Sequence, residues 1–157
     1  MSSMADNTLP TQGRLCGVDY GTVRIGVSVC DPAQTIASPL ENYQRRSEKL
    51  DEQFFKTIAK EERVVGWVVG LPIHLSGDES QKSHEAREFG KWLKEKTNLP
   101  VAFFDERFTS AIAEEYLLDA NLTKKKRKAR MDKLAAQILL SCYLESNRNS
   151  EQSESID

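Results

Sequence analysis

A chain of 157 residues suits one domain around one main core, and 39% apolar residues are enough to fill it. With 22 basic and 24 acidic residues the formal net charge is -2, so only a local cluster is left to signal a nucleic-acid partner. No apolar run approaches membrane-spanning length, and Cys16, Cys30 and Cys142 lie too far apart for a zinc or redox motif.

The first 13 residues, MSSMADNTLPTQG, are polar and lack the apolar core of a signal peptide. They read as a flexible tail, residues 14–147 as the folded domain, and residues 148–157 as a second polar tail. From Arg14 to Val29 a Val-, Ile- and Cys-rich stretch is broken by Asp19-Tyr20-Gly21-Thr22, which predicts a strand, a tight turn and a returning strand. A third strand is expected over Thr35–Leu40, after Asp31-Pro32. The period then changes: Leu50, Phe54, Ile58 and Ala59 predict a helix over 46–61.

Val64–Val69 is a continuous apolar run with helical patterns on both sides, the mark of a buried parallel strand. Gly70-Leu71-Pro72 ends it, because proline cannot continue a ladder. Ala86, Phe89, Trp92 and Leu93 predict a helix over 79–97, closed by Asn98 before Pro100. Val101–Phe104 is a second buried strand, followed at once by Asp105-Glu106-Arg107. Thr109 is placed to cap a helix through Ile112, Ala113, Tyr116 and Leu117, and a last helix is expected near 129–147. The order βββαβαβαα predicts an α/β fold: a mixed five-stranded sheet with an antiparallel meander at its start and helices on both faces.

Sites in such sheets form where loops leave the carboxyl ends of strands. Asp19 closes the first strand, Asp105-Glu106 the last, and Asp132 sits near the start of the final helix beside Ala135 and Ala136, which permit close approach. If that helix crosses the strand ends, carboxylates from remote parts of the chain meet. Clustered like charges raise one another's pKa, and hard divalent cations such as Mg²⁺ or Mn²⁺ relieve the repulsion through oxygen ligands. Two ions in such a site activate water and stabilise the leaving oxygen of a phosphodiester. Each acid also has an ordinary role open to it: Asp19 in a turn, Asp105 near a helix cap, Asp132 at a helix N-terminus.

The run Lys124-Lys125-Lys126-Arg127-Lys128-Ala129-Arg130 is either a solvated helix face or a strip that follows phosphates. It carries no aromatic for base stacking, so backbone affinity with little base readout is expected. Arg24 and Arg107 extend the same surface if they share its face. Gly70 and Pro72 shape a loop over the strand ends. Neither histidine belongs to a metal-ligand pattern, and no serine has a histidine partner in sequence.

Four stretches in order, GVDYGTVRIGVS, VVGLPIHLSG, VAFFDERFTS and KKKRKARMDKLAAQILLSCYL, resemble the bacterial pre-16S rRNA nuclease family, also described as Holliday junction resolvases. The resemblance spans about residues 15–144 and implies a ribonuclease H-like fold. It implies that Asp19, Glu106 and Asp132 are catalytic and bind metal, with Asp105 as a possible additional site residue. It implies phosphate contacts for Arg24, Arg107 and Thr109, and structural roles near the site for Gly17, Gly21, Gly26, Gly70 and Gly77. The chain departs from the family where Asp119-Ala120-Asn121-Leu122 replaces a common glycine, and where DESQKS follows Gly77.

By that resemblance the activity is metal-dependent phosphodiester hydrolysis in 5′-end processing of pre-16S rRNA, in the cytoplasm. The partner is structured RNA, in free or pre-ribosomal form, with a four-way DNA junction as the alternative substrate and a monomer or weak homodimer as the state. A non-catalytic RNA-binding assembly factor is a second alternative, since the basic run supports binding without chemistry.

Overall fold

The computed structural model describes residues 8–74, 76–109 and 123–156, with side chains of the last stretch described at 123–126 and 134–148. Strands β1 (Arg14–Asp19), β2 (Arg24–Cys30) and β3 (Ala37–Gln44) are followed by helix α1 (Glu48–Glu61) and strand β4 (Val64–Leu71). Helix α2 (Gln81–Thr97), strand β5 (Val101–Asp105), a 3₁₀ turn (Glu106–Thr109) and helix α3 (Lys124–Ile156) complete the described elements. The sheet order is β3-β2-β1-β4-β5. The first three strands pair antiparallel, and β4 and β5 join β1 in parallel, as expected of a meander extended by two crossovers.

Strand alternation divides the core into two layers. Cys16 and Val18 of β1, Trp67, Val69 and Leu71 of β4 and Val101 of β5 pack against α1 and α2, where Phe55 meets Trp67 and Phe89 edge-on at 5.7 and 5.5 Å. Leu15, Val68 and Ala102 face the other way, under Leu139, Leu140, Tyr143 and Leu144 of α3. A strand buried on both faces has no room for polar residues, which is why β4 reads as an unbroken apolar run.

Helix α3 lies close on the sheet. A Cβ at Gly17 would stand 2.6 Å from Ser28 Oγ and 2.8 Å from the Ala136 carbonyl, so only glycine fits. The fully buried Ser28 hydroxyl donates to that carbonyl at 2.6 Å. Gln137 Nε2 donates to the Ala37 carbonyl at 3.0 Å.

Local chemistry moves some expected boundaries. β3 begins at Ala37 because the Asp31 carboxylate holds the loop before it, accepting from Thr35 N at 2.7 Å and Ile36 N at 2.9 Å. It runs on to Gln44, since an edge strand needs a partner on one side only. Within it Pro39 sits where the register with β2 shifts, a place that needs no donor. α3 begins five residues before the expected start at 129: Thr123 Oγ1 accepts from Lys126 N at 3.2 Å, and the lysine run is a good helix former. It continues through Ile156 because no Gly or Pro stops it, although the apolar pattern ends earlier. Near the other end, Leu9 is buried under α3's layer and Pro10 accepts from Gln34 Nε2 at 2.9 Å, so residues just before β1 are held to the domain. The helix expected after Thr109 falls on residues 110–122, outside the described residues.

Candidate active site

Period-two geometry decides which acids meet. Leu15, Gly17 and Asp19 share the α3 face of β1, and Val68 and Gly70 share that face of β4. Asp105 falls in step with Val101 and Phe103 and belongs to the opposite face. The chain turns after it, and Glu106 folds back over Gly70, where an added Cβ would lie 2.5 Å from Glu106 Oε1. Glu106 thereby reaches Asp19, and the two carboxyl groups are hydrogen-bonded to each other.

Two carboxyls in contact must share a proton or a cation. Burial raises the pKa of Glu106, the Asp19 charge and hydrogen bond raise it further, and Asp105 adds a smaller push, to about 7. Asp105 goes the other way. Its hydrogen bonds from Arg107 outweigh its burial and hold it below the usual carboxylate range. Arg107 Nε and Nη2 donate to Asp105 Oδ2 at 2.8 and 2.5 Å, and Arg107 N donates to Oδ1 at 2.9 Å.

Asp19 and Glu106 open onto a cleft of about 330 Å³, also lined by Tyr20, Gly21, Thr22, Gly70, Pro72, Lys82 and Glu85. The first turn of α2 reaches the cleft because Ser80, its N-cap, donates to the Pro72 carbonyl at 2.7 Å while accepting from Ser83 N at 3.0 Å. Tyr20 is fixed from behind: its hydroxyl accepts from Arg45 Nη1 at 2.8 Å, and its ring packs on Phe89 at 4.7 Å. Arg45 is held in turn by the buried Asp51 at 3.2 Å.

Among the expected site residues, the structure brings Asp19 and Glu106 together with Gly21, Gly70 and Pro72 around one cleft. Asp132 stands one helical turn before Ala136, which is itself near Gly26 and Asp19, but its side chain lies outside the described residues. No group of three potential metal-ligating acids, histidines or cysteines occurs among the described residues. Asp105 points away toward Arg107, and Arg24 is exposed at the start of β2 and does not line the cleft. The Thr109 hydroxyl donates to the Glu106 carbonyl at 2.7 Å, which steadies the 3₁₀ turn.

Gly77 adopts a positive φ of 95° beside Arg107 Nη1, whereas Gly26 leaves an added Cβ at ordinary contact distances. Lys124, Lys125 and Lys126 are exposed on the first turn of α3; the side chains of Arg127, Lys128 and Arg130 lie outside the described residues. Sequence reasoning missed Tyr20, Thr22, Lys82 and Glu85. The available signal was topological: α2 starts where β4 ends, so its first turn must border the strand-end site.

Residues 13–146 match the family described as RuvX, Holliday junction resolvase. A protein of Rhodopirellula baltica named "Putative pre-16S rRNA nuclease" is 50% identical over 147 residues, covering 94% of this chain and 85% of its own length. A Koribacter versatilis protein of the same name is 38% identical over 133 residues, covering 85% of this chain and 87% of its own. The fold is similar to that of T. thermophilus RuvC in complex with Holliday junction substrate. The TM-score is 0.54 at 13% identity, with 86% of this chain and 96% of that one covered.

Proposed function

Because the chain belongs to the RuvX family of Holliday junction resolvases, with pre-16S rRNA nucleases among its relatives, we propose that it is a metal-dependent nuclease that trims the 5′ end of pre-16S rRNA. The observation that carries the reading is the Asp19–Glu106 carboxyl pair at the strand ends, open to a cleft and holding a proton near neutral pH. A proton affinity raised that far marks a site short of positive charge.

The donor set fits a hard divalent cation: the cleft offers carboxylate oxygens and, among the described residues, no histidine or thiolate. Asp19 and Glu106 would hold Mg²⁺ or Mn²⁺, two ions with substrate bound, and Asp132 is the proposed third carboxylate. Bound there, the metal supplies Lewis acidity and a nucleophilic water at neutral pH. The chain's own part is placement. Gly70 leaves room for the Glu106 carboxyl over β4. Arg107 keeps Asp105 ionised and turned away, so that its charge raises the Glu106 proton affinity only modestly. Tyr20, braced by Arg45, forms a fixed wall next to Asp19.

The proposed partner is structured RNA, bound through its backbone by the basic start of α3, and the proposed compartment is the cytoplasm, which suits three buried free cysteines. A four-way DNA junction is the second substrate class, favoured by the description of the matching family. The test is cleavage of an RNA spanning the 16S 5′ precursor junction, beside a four-way DNA junction, with Mg²⁺ or Mn²⁺ and a chelator control. Metal-dependent RNA cleavage lost in Asp19→Asn is expected. Cleavage of the junction alone would transfer the reading to resolution. RNA binding without cleavage by the wild type would transfer it to an assembly factor.

A further inference from the structure

Three acids, Asp19, Glu85 and Glu106, line the cleft, and a single cation, Lys82, stands among them in the described residues. A phosphodiester entering this space meets negative charge on two walls. Cations at the Asp19–Glu106 end offset that end only. The arginines expected to meet phosphate do not line the cleft, and Arg107 is engaged by Asp105.

Helix stability does not explain a lysine here. Lys82 is the second residue of α2, where the first-turn N–H groups already carry partial positive charge, and no acidic residue stands in that turn. Three of the four other lysines and arginines of α2 are paired: Arg87 with Glu79, Lys91 with Glu88, Lys96 with Glu52; Lys94 is not among the described residues, but only Lys82 lines the cleft. Lys82 is exposed and makes no hydrogen bond or ion pair among the described residues. Its backbone, by contrast, is well placed, since the Ser80–Pro72 hydrogen bond fixes the start of α2 against the loop that follows β4.

We propose that Lys82 is the substrate-binding cation of the cleft, contacting a backbone phosphate next to the bond cut at the Asp19–Glu106 pair. The inference rests on the nuclease reading and adds to it the residue that receives the chain of phosphates. An ammonium on a flexible stem suits a point contact to a phosphate arriving at an open cleft.

The experiment is binding of the structured precursor RNA in chelator, where cleavage is stopped, across a range of salt. Wild type is compared with Lys82→Gln, Lys82→Arg, and Lys60→Gln, whose lysine lines a separate groove with Lys49, Glu52 and Lys56. Lys82→Gln is expected to weaken binding about fivefold at low salt and to flatten the log–log salt slope by about 0.7 to 0.9, the loss of one phosphate contact. Lys82→Arg is expected to restore both, and Lys60→Gln to change neither; melting temperatures check that all variants fold. An unchanged slope in Lys82→Gln, or an equal loss in Lys60→Gln, overturns the assignment of Lys82 and leaves the nuclease reading standing. Failure of the wild type to bind RNA at all overturns both.

Discussion

Glu106→Gln should make the metal-free protein more resistant to alkali, and the size of the effect follows from one shared proton. In the unfolded chain Glu106 ionises near its ordinary value of 4.5, and in the fold near about 7. Between these values the folded state retains a proton that the unfolded state has released, so stability falls as pH rises from 4.5 to 7 and is level above that. A gap of that width corresponds to about 3 kcal/mol. Glutamine keeps a donor toward Asp19 but has nothing to ionise. Its stability relative to wild type should therefore improve by about 3 kcal/mol between pH 4.5 and pH 8, roughly 9 °C in melting temperature for a chain of this length. The difference between the two proteins is the quantity to read, because any packing cost of the substitution is the same at every pH. Urea denaturation in chelator at five or six pH values measures it. Millimolar Mg²⁺ should then raise the wild type at pH 8 more than the variant. A wild type–variant difference that stays flat across the range would refute the reasoning, since it would mean that the carboxyls do not share a proton.

Gly70→Ala puts a methyl 2.5 Å from Glu106 Oε1, the movable end of a side chain. Cleavage should drop at least about tenfold while stability changes by less than ~1 kcal/mol, since displacing the Glu106 carboxyl by about 1 Å costs rate through misplacement; paired kinetics and melting curves check this. Ser28→Ala strips the Ala136 carbonyl of a buried donor and should cost about 1–2 kcal/mol, read as a lower urea midpoint at unchanged slope. Asp51→Asn should cost about 3 kcal/mol at pH 7, because it leaves Arg45 facing a neutral group. Burial pushes the Asp51 pKa up, but hydrogen bonds from Arg46 N, Tyr43 and Arg45 outweigh it and hold the carboxyl below its ordinary value. Its contribution is thus present above that value and lost in acid, and wild type and variant should converge as pH falls below it.

Much of this arrangement is legible in residue order. Apolar runs and the period-3.6 pattern give β1, β2, β4, β5, α1, α2 and the middle of α3, because burial imposes them directly; β3, exposed along most of its length, carries no such pattern. Asp19 is legible as a candidate because an acid that ends an apolar strand lies at the strand-end edge of the sheet, where sites form. The choice between Asp105 and Glu106 needs one more step, strand parity, which sends Asp105 to the α1–α2 face and leaves Glu106 to fold over Gly70. The fate of Arg107 is not legible, since an arginine beside a carboxylate pairs with whichever acid the turn presents, and here that is Asp105. Lys82 and Glu85 carry no sequence mark because their role comes from where α2 starts, fixed by a hydrogen bond between Ser80 and Pro72 that no pattern announces.

The seat of α3 on Gly17 sets an order on the making of this enzyme. The bond from Ser28 to Ala136 spans 108 residues, and that from Gln137 to Ala37 spans 100. While the chain is being synthesised from its N-terminus, the sheet and its α1–α2 layer emerge first, and the face bearing Leu15, Val68 and Ala102 waits uncovered. Contacts so distant in sequence form late. Nascent protein therefore carries Asp19 well before it has the helix that closes the layer behind it. A chain abandoned before Ala136 would present a bare apolar face over Leu15, Val68 and Ala102, a surface open to aggregation.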